Sequence, residues 1–329
     1  MQIAIVGGGP SGLYFGLLVK KRVPKAQITV FEQNRANDTF GFGVVMADTG
    51  LSHLEAADKA THDALSAAMR FSHKQVIKLD EQQLAIEKPG AGGGAIPRLV
   101  LLDILQKHCL EAGMNLQFST RFDFSAPSFK QALEDADLVV GADGVNSVVR
   151  QQQAQAFGTT QRLLTNRFAW FGTHKVFECP ALVFKHVEGG RFIAHYYPYS
   201  DTMSTFVAEC DEATWIDCGL AGMSDAQRQA KFEEIFADEL DGMKLISSNS
   251  VWRQFPVVRN QQWSVGKTAL LGDALSSAHF SIGSGTRIAM EDSIALADAV
   301  VANPKDMAKA LAVYEASRRP SKTLSLIHI

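Results

Sequence analysis

The chain has no CxxC pair, no long run of basic residues and no apolar stretch long enough to cross a membrane, and each absence removes a class of function. Its four cysteines, Cys109, Cys179, Cys210 and Cys218, are scattered, and a chain of 329 residues needs no disulfide staples. They are read as free thiols packed as small apolar side chains, and no metal site is expected. With 32 Lys+Arg against 35 Asp+Glu the formal charge is −3, which supplies no field for nucleic acid or an anionic lipid surface. The first residues already read as a strand, leaving no room for a signal peptide, so the expected location is cytoplasmic. What remains is an ordinary globular composition, 46% hydrophobic, sufficient for one large domain or two coupled ones.

Against this background the N-terminus stands out. Residues 2–6 form an apolar β-type run, followed by Gly7-Gly8-Gly9-Pro10-Ser11-Gly12 and a helical pattern through about residue 21. In Gly7-x-Gly9-x-x-Gly12 the first glycine permits a tight turn, the second lets the backbone approach phosphate oxygens, and the third lets helix and strand pack closely. The helix opening at Pro10 and Ser11 points free N–H groups and its positive dipole end at the anion. A second strand-like run, 27–32, ends in Glu32, twenty positions after Gly12, where a carboxylate meets ribose hydroxyls. An adenine dinucleotide is the expected ligand.

Further along, Phe40-Gly41-Phe42-Gly43-Val44-Val45 is too glycine-rich for a regular strand interior and reads as backbone passing close to something flat or bulky. Residues 51–70 read as helical, with Asp58 and Thr61 as interruptions or caps, and 74–88 as strands. The loop from Gly90 to Ala95 also matches GxGxxA, but it lacks a preceding buried strand and runs into Pro97; it is read as a decoy. Arg98 opens a helix to about Cys109 and suits a phosphate or ribose, a surface ion pair being the bland alternative. Leu138–Ala142 is a buried strand that delivers Asp143-Gly144, with Ser147 and Arg150 after it, to a strand end where open α/β sheets bind ligands. From about Arg162 to Gln254 the texture turns β-rich and aromatic, as in an inserted antiparallel sheet with a helix at 225–240. The α/β pattern then returns, with Gly272-Asp273-Ala274, a long helix from Gly283-Ser284-Gly285-Thr286 to Val301, and a helix from Asp306 that ends near Pro320.

Three signatures in this order, Gly7-x-Gly9-x-x-Gly12 with Glu32, Asp143-Gly144 with Arg150, and Gly272-Asp273-Ala274 with Gly283-x-Gly285, resemble the group A flavoprotein aromatic hydroxylases. The resemblance covers nearly the whole chain and turns the dinucleotide into FAD. It implies an α/β architecture: a Rossmann-like FAD-binding fold of the para-hydroxybenzoate hydroxylase type with an inserted antiparallel β-sheet substrate domain. The implied FAD-binding domain is discontinuous (1–75, 96–161 and 255–329) and the substrate domain comprises 76–95 and 162–254. It places Gly7, Gly9, Pro10, Ser11, Gly12 and Glu32 on the ADP half, Asp143 near the pyrophosphate and the NAD(P)H region, Asp273 on the ribityl chain, and Arg98 as a further contact. Gly43 and Val44, with Gly283, Gly285 and Thr286 at a helix start, are assigned to the flavin end.

Finer resemblance, in Phe40–Val45, Trp170–His174, Phe192–Cys210 and Ala278–Gly283, is to the salicylyl-CoA 5-hydroxylase and anthraniloyl-CoA monooxygenase branch, and much of it is shared with the violacein-pathway indole hydroxylase. Most group A enzymes carry proline at the position of Phe280 and commonly histidine at that of Ser276, which sets this branch apart. The implied activity is hydroxylation of an activated aromatic ring with O2 and NADH or NADPH through a flavin C4a-hydroperoxide, the substrate an aromatic small molecule such as an aryl-CoA thioester. A hydroxylase of a free indolic substrate and a flavin oxidoreductase that inserts no oxygen are the alternatives. His279 and His195 are the candidate acid–base residues, each with a packed-histidine alternative. Trp170, Tyr197 and Phe280 are the candidate pocket walls. The segment Ser321–Ile329 continues no family pattern and is expected to be the end of a truncated chain, unless Leu324, Leu326 and Ile327 bury against the core.

Overall fold

A computed structural model describes residues 1–36, 38, 41–87, 92–248 and 250–326; Phe40, the Gly90-Ala91 part of the decoy loop and Ile327 lie outside the described residues. Its first sheet has six strands, in the spatial order Ser264–Val265, Thr268–Leu270, Leu138–Gly141, Gln2–Val6, Gln27–Phe31 and Asn115–Gln117. All neighbours are parallel except the first two, which form a hairpin. The register brings Val6 level with Phe31 and Gly141, and Gly141 level with Leu270. Four parallel strands therefore end together, and within three residues of their ends come Gly7, Glu32, Asp143 and the Gly272-Asp273 pair. Every nucleotide motif of the sequence emerges at the carboxyl edge of one sheet, where ligands of open α/β sheets sit.

Helix Pro10–Arg22 covers this sheet and is buried from Pro10 to Val19, with Lys20, Lys21 and Arg22 at its negative end. It packs against Gly285–Ala302 and Arg98–Glu111. Gly16 faces the sheet, where a Cβ would lie 2.4 Å from the flexible tip of Met114 and 3.0 Å from Ile5 Cδ1. The expected 51–70 helix is two, Asp48–Ala57 and Lys59–Ala67, broken at Asp58, whose carboxylate accepts the Thr61 hydroxyl at 2.6 Å.

The second sheet runs Leu245–Ser247, Thr160–Thr173, Ser204–Cys210, Gly190–Pro198, Ala181–Val187, Lys74–Leu79, Gln82–Glu87, with Arg253–Arg259 also on Thr160–Thr173. It is antiparallel except where Ala181–Val187 meets Lys74–Leu79, which pair parallel. Its core, built on Phe192, Phe206, Phe232 and Phe236, is separate from that of the first sheet. The covering helix breaks at Phe236 into Asp225–Ile235 and Ala237–Leu240.

Two glycine-rich stretches differ from the sequence reading. Gly43–Met46 and Gly93–Pro97 are strands, paired antiparallel with each other, and Arg70–Ser72 completes a three-stranded sheet. Tertiary contact explains the composition: a Cβ on Gly43 would lie 2.6 Å from the Tyr199 ring, and one on Gly94 2.7 Å from Met69 Sδ. The last helix also runs farther than expected, Met307–Ser325, with Pro320 inside it. Beyond that proline Lys322 is 1% exposed and Leu326 is buried, whereas Leu324 is exposed. Of the four free cysteines, Cys109 and Cys210 are buried, but Cys179 and Cys218 are only half-buried. No helix among the described residues is long and apolar enough to cross a membrane.

Candidate functional site

The Gly7–Gly12 loop has the geometry its glycines demand. Gly7 sits at φ +107, and a side chain there would collide with the Ala142 carbonyl at 2.3 Å; at Gly12 it would meet the Gly7 carbonyl at 2.2 Å. These two glycines serve the protein's own packing. Gly9 does not, since a Cβ there meets nothing within 4 Å. It caps the first helix with no side-chain hydrogen bond, which leaves the first-turn N–H groups without a side-chain acceptor, as at helix starts that bind anions. Glu32 is held in place beside it: Oε2 accepts from Gly8 N at 2.7 Å, and Oε1 from Asn34 N at 2.8 Å and Asn34 Nδ2 at 2.7 Å.

Asp143 accepts from Val148 N at 2.7 Å through Oδ2, while its Oδ1 is buried with no partner among the described residues. Such an orphan is an opening for a donor on a bound molecule. Burial pushes the Asp143 carboxyl above its ordinary value, against its hydrogen bonds. Arg150, 1% exposed, ties this turn to the next by donating to the carbonyls of Val145 and, at 2.9 Å, Ala274. That fixes Asp273, which points into a cavity of about 410 Å3 together with Arg98. The Asp273 carboxyl is raised by desolvation, with Lys322 and Arg98 opposing; Arg98 feels both Asp273 and Glu32, linking the cavity to the nucleotide edge.

The same cavity brings together Gly43, Val44, Gly283, Gly285, Thr286, Trp170, Tyr197, Phe280 and His195. On one side the 18-residue helix Gly285–Ala302 begins without a side-chain cap, directing its free N–H groups and positive end inward. Gly43 is clamped to the second sheet, donating to Thr205 Oγ1 at 3.0 Å and accepting from the Tyr197 hydroxyl at 2.7 Å. Burial pushes that hydroxyl up to about 12, so Tyr197 is a neutral wall. Phe280 is the hub of the aromatic side, with ring centroids 4.6 Å from Phe168, 5.4 Å from Trp170 and 5.2 Å from His195.

The two candidate histidines separate. His279 does not line the cavity: its ring packs against Phe255 and Phe280, and Nδ1 accepts from Ser281 N at 3.3 Å, capping the short turn Phe280–Ile282. Burial holds its imidazole below 6.5, with Glu209 opposing. His195 does line the cavity, and its Nε2 lies 2.7 Å from Glu209 Oε2. Sequence reading missed Glu209, although a carboxylate in the apolar run Ser204–Cys210 was a visible signal. It also missed Arg253, Phe255, Val207 and Ser250, which line the cavity from strands and a loop with no motif.

The chain matches the FAD binding domain family over residues 1–325. It is 39% identical to a salicyloyl-CoA 5-hydroxylase from Streptomyces sp, across 97% of this chain and 62% of the relative. It is 36% identical to a 3-hydroxy-4-methyl-anthranilyl-[aryl-carrier protein] 5-monooxygenase from Streptosporangium sibiricum, across 97% of this chain and 84% of the relative. The chain thus spans less than two thirds of the first relative's length. A crystal structure of a 2-methyl-3-hydroxypyridine-5-carboxylic acid oxygenase variant superimposes with TM-score 0.79 at 18% identity, covering 99% of this chain and 90% of that one, which places the fold.

Proposed function

The chain belongs to the FAD-binding-domain family, that of the FAD-dependent aromatic hydroxylases, and from this premise we propose that it hydroxylates an aryl acyl thioester bearing a ring hydroxyl or amino group. The observation that carries the reading is the two-sided cavity. Asp273, Arg98 and the N-terminus of Gly285–Ala302 form a polar side for the flavin end of FAD, and Trp170, Tyr197, Phe280 and His195 form an aromatic side for a ring. When bound, FAD supplies the redox chemistry between NADH or NADPH and O2. The protein holds the cofactor through Gly9, Glu32, Asp143, Arg98 and Asp273, stabilises negative charge at the helix N-terminus, and excludes water with the aromatic wall. The names of both relatives describe action at carbon 5 of a ring whose carbon 2 carries hydroxyl or amine, the position para to that donor. Exposed Val251 and Arg253 mark the mouth through which the thioester's carrier extends. The second sheet is read as the substrate domain, and the enzyme as cytoplasmic.

The test is oxygen-dependent oxidation of NADH and NADPH with 2-hydroxybenzoyl-CoA, 2-aminobenzoyl-CoA, benzoyl-CoA and a free indolic acid. Hydroxylated product from the first two, and little from benzoyl-CoA, supports the reading. Product from the indole alone favours the indolic alternative, and oxidation of NAD(P)H without oxygen insertion overturns both.

A further inference from the structure

Strand Ser204–Cys210 is buried along its whole length, and Glu209 within it is 4% exposed. A carboxylate there requires partners, and it has two. Oε1 accepts from Asn166 Nδ2 at 2.7 Å, and Oε2 faces His195 Nε2 at 2.7 Å. His195 stands opposite Val207 on the neighbouring strand, so Glu209 is its diagonal neighbour two positions on. Asn166 is delivered by a register shift between Leu163 and Arg167, an irregularity of the kind that re-aims a side chain.

This arrangement fixes the imidazole. A carboxylate on Nε2 makes that nitrogen the N–H donor and leaves Nδ1 with a lone pair. Nδ1 makes no hydrogen bond among the described residues, and it is not a buried orphan atom; His195 lines the cavity. His279, the other imidazole nearby, spends its Nδ1 on Ser281. The charged and titratable groups around His195 are Glu209, His279 on the loop before Phe280, Tyr197 on its own strand, and Arg253, Arg98 and Asp273 in the lining of the same cavity.

We propose that Glu209 and His195 form a proton-accepting dyad, in which Glu209 is the positioning residue and His195 Nδ1 takes the proton from the substrate's ring hydroxyl or amine. This rests on the hydroxylase reading above. The O–H or N–H bond breaks, its electron pair stays with the donor atom and is delivered into the ring, and the proton forms Nδ1–H on an imidazolium held against Glu209. O2 and NADH or NADPH supply oxidant and reductant. When the hydroxylated carbon releases its own hydrogen to solvent, Nδ1 returns the proton to the donor. Although burial works to raise it, the Glu209 carboxyl is held below 4.5 by His195, Asn166 and His279, so it is charged throughout the working range.

The experiment uses FAD-loaded wild type, His195→Gln and Glu209→Gln. The first readout needs no turnover: 2-hydroxybenzoyl-CoA is bound without NAD(P)H and its phenolate absorbance is titrated with pH. Wild type should lower the bound phenol's midpoint relative to the free thioester, and H195Q should abolish that shift. The second is the pH profile of kcat/KM for hydroxylation. H195Q should lose the acid limb and about 10²- to 10⁴-fold in rate at pH 7, the usual range for a general base. Removing the carboxylate's charge in E209Q should displace that limb with FAD affinity unchanged. A merely structural Glu209 would leave that midpoint in place. An unshifted phenol in wild type, or an intact acid limb in H195Q, overturns the dyad; should H195Q fail to fold, the wild-type phenol titration and E209Q decide. If wild type makes no hydroxylated product the hydroxylase reading fails, and the phenol titration still reads the dyad independently.

Discussion

Gly9 and Gly12 lie in the same motif and have opposite reasons for being glycine, which makes their alanine variants a sharp test. At Gly12 the new methyl would sit 2.2 Å from a backbone carbonyl and 3.1 Å from Ala142 Cβ and Ile5 Cγ2. Helix and strand must move apart, and overpacking of this kind costs about 1–3 kcal/mol. The greater helix preference of alanine returns at most about 1 kcal/mol. Gly12→Ala should therefore destabilise the protein measurably even without FAD. At Gly9 the backbone, φ −75 and ψ 176, is one alanine adopts freely, and the methyl meets nothing within 4 Å. Flavin-free Gly9→Ala should stay within about 1 kcal/mol of wild type, the ordinary range for a cap position whose new methyl touches nothing. Its cost falls on the ligand. A methyl where the pyrophosphate must approach removes one charge-assisted hydrogen bond worth about 1.5–3 kcal/mol, a 10- to 100-fold weaker FAD complex. Denaturant unfolding after removal of FAD, paired with flavin-fluorescence titration, reads both quantities. Wild-type FAD affinity in Gly9→Ala, or equal destabilisation by the two variants without FAD, would refute the reasoning.

The segment beyond Pro320 is tied down by a buried ion network: Lys322 pairs with Asp292, and Arg318 donates to Asp292 Oδ1 at 2.9 Å and Glu291 Oε2 at 2.7 Å. Lys322→Met should leave Asp292 short of a partner and cost about 3–5 kcal/mol by denaturant unfolding, the usual result of removing one member of a buried pair; a change below 1 kcal/mol would show the tail to be inessential packing. Burial holds the His279 imidazole below 6.5, so near and below that pH the folded protein binds fewer protons than the unfolded chain, and stability falls as pH drops from about 6.5 through the lowered folded value. His279→Gln should flatten that limb of the melting temperature against pH, and a limb identical to wild type would place the loss elsewhere.

Much of the strand-end edge carrying Gly7, Glu32, Asp143 and Asp273 was legible in the sequence because each element there answers to a local rule. The strand Gln2–Val6, the turn at Gly7, the helix start at Pro10 and the acid at Glu32 follow one another at fixed spacing, and so do Asp143-Gly144 and Gly272-Asp273. What no local rule contains is that four strands from distant parts of the chain end level with one another, a consequence of their register in one sheet. The strands Gly43–Met46 and Gly93–Pro97 defied their glycine content because Tyr199 and Met69 occupy the space side chains would fill, and those neighbours come from elsewhere in the chain. The helix through Pro320 is held by buried partners on Gly285–Ala302, whose pairing outweighs the helix-breaking tendency of proline. His195 and His279 looked equivalent as residues. His279 is held by its near neighbour Ser281, but only the fold braced His195 with Glu209 from the next strand and set it in the cavity, because hydrogen-bond partners across a sheet are set by register and not by proximity in sequence.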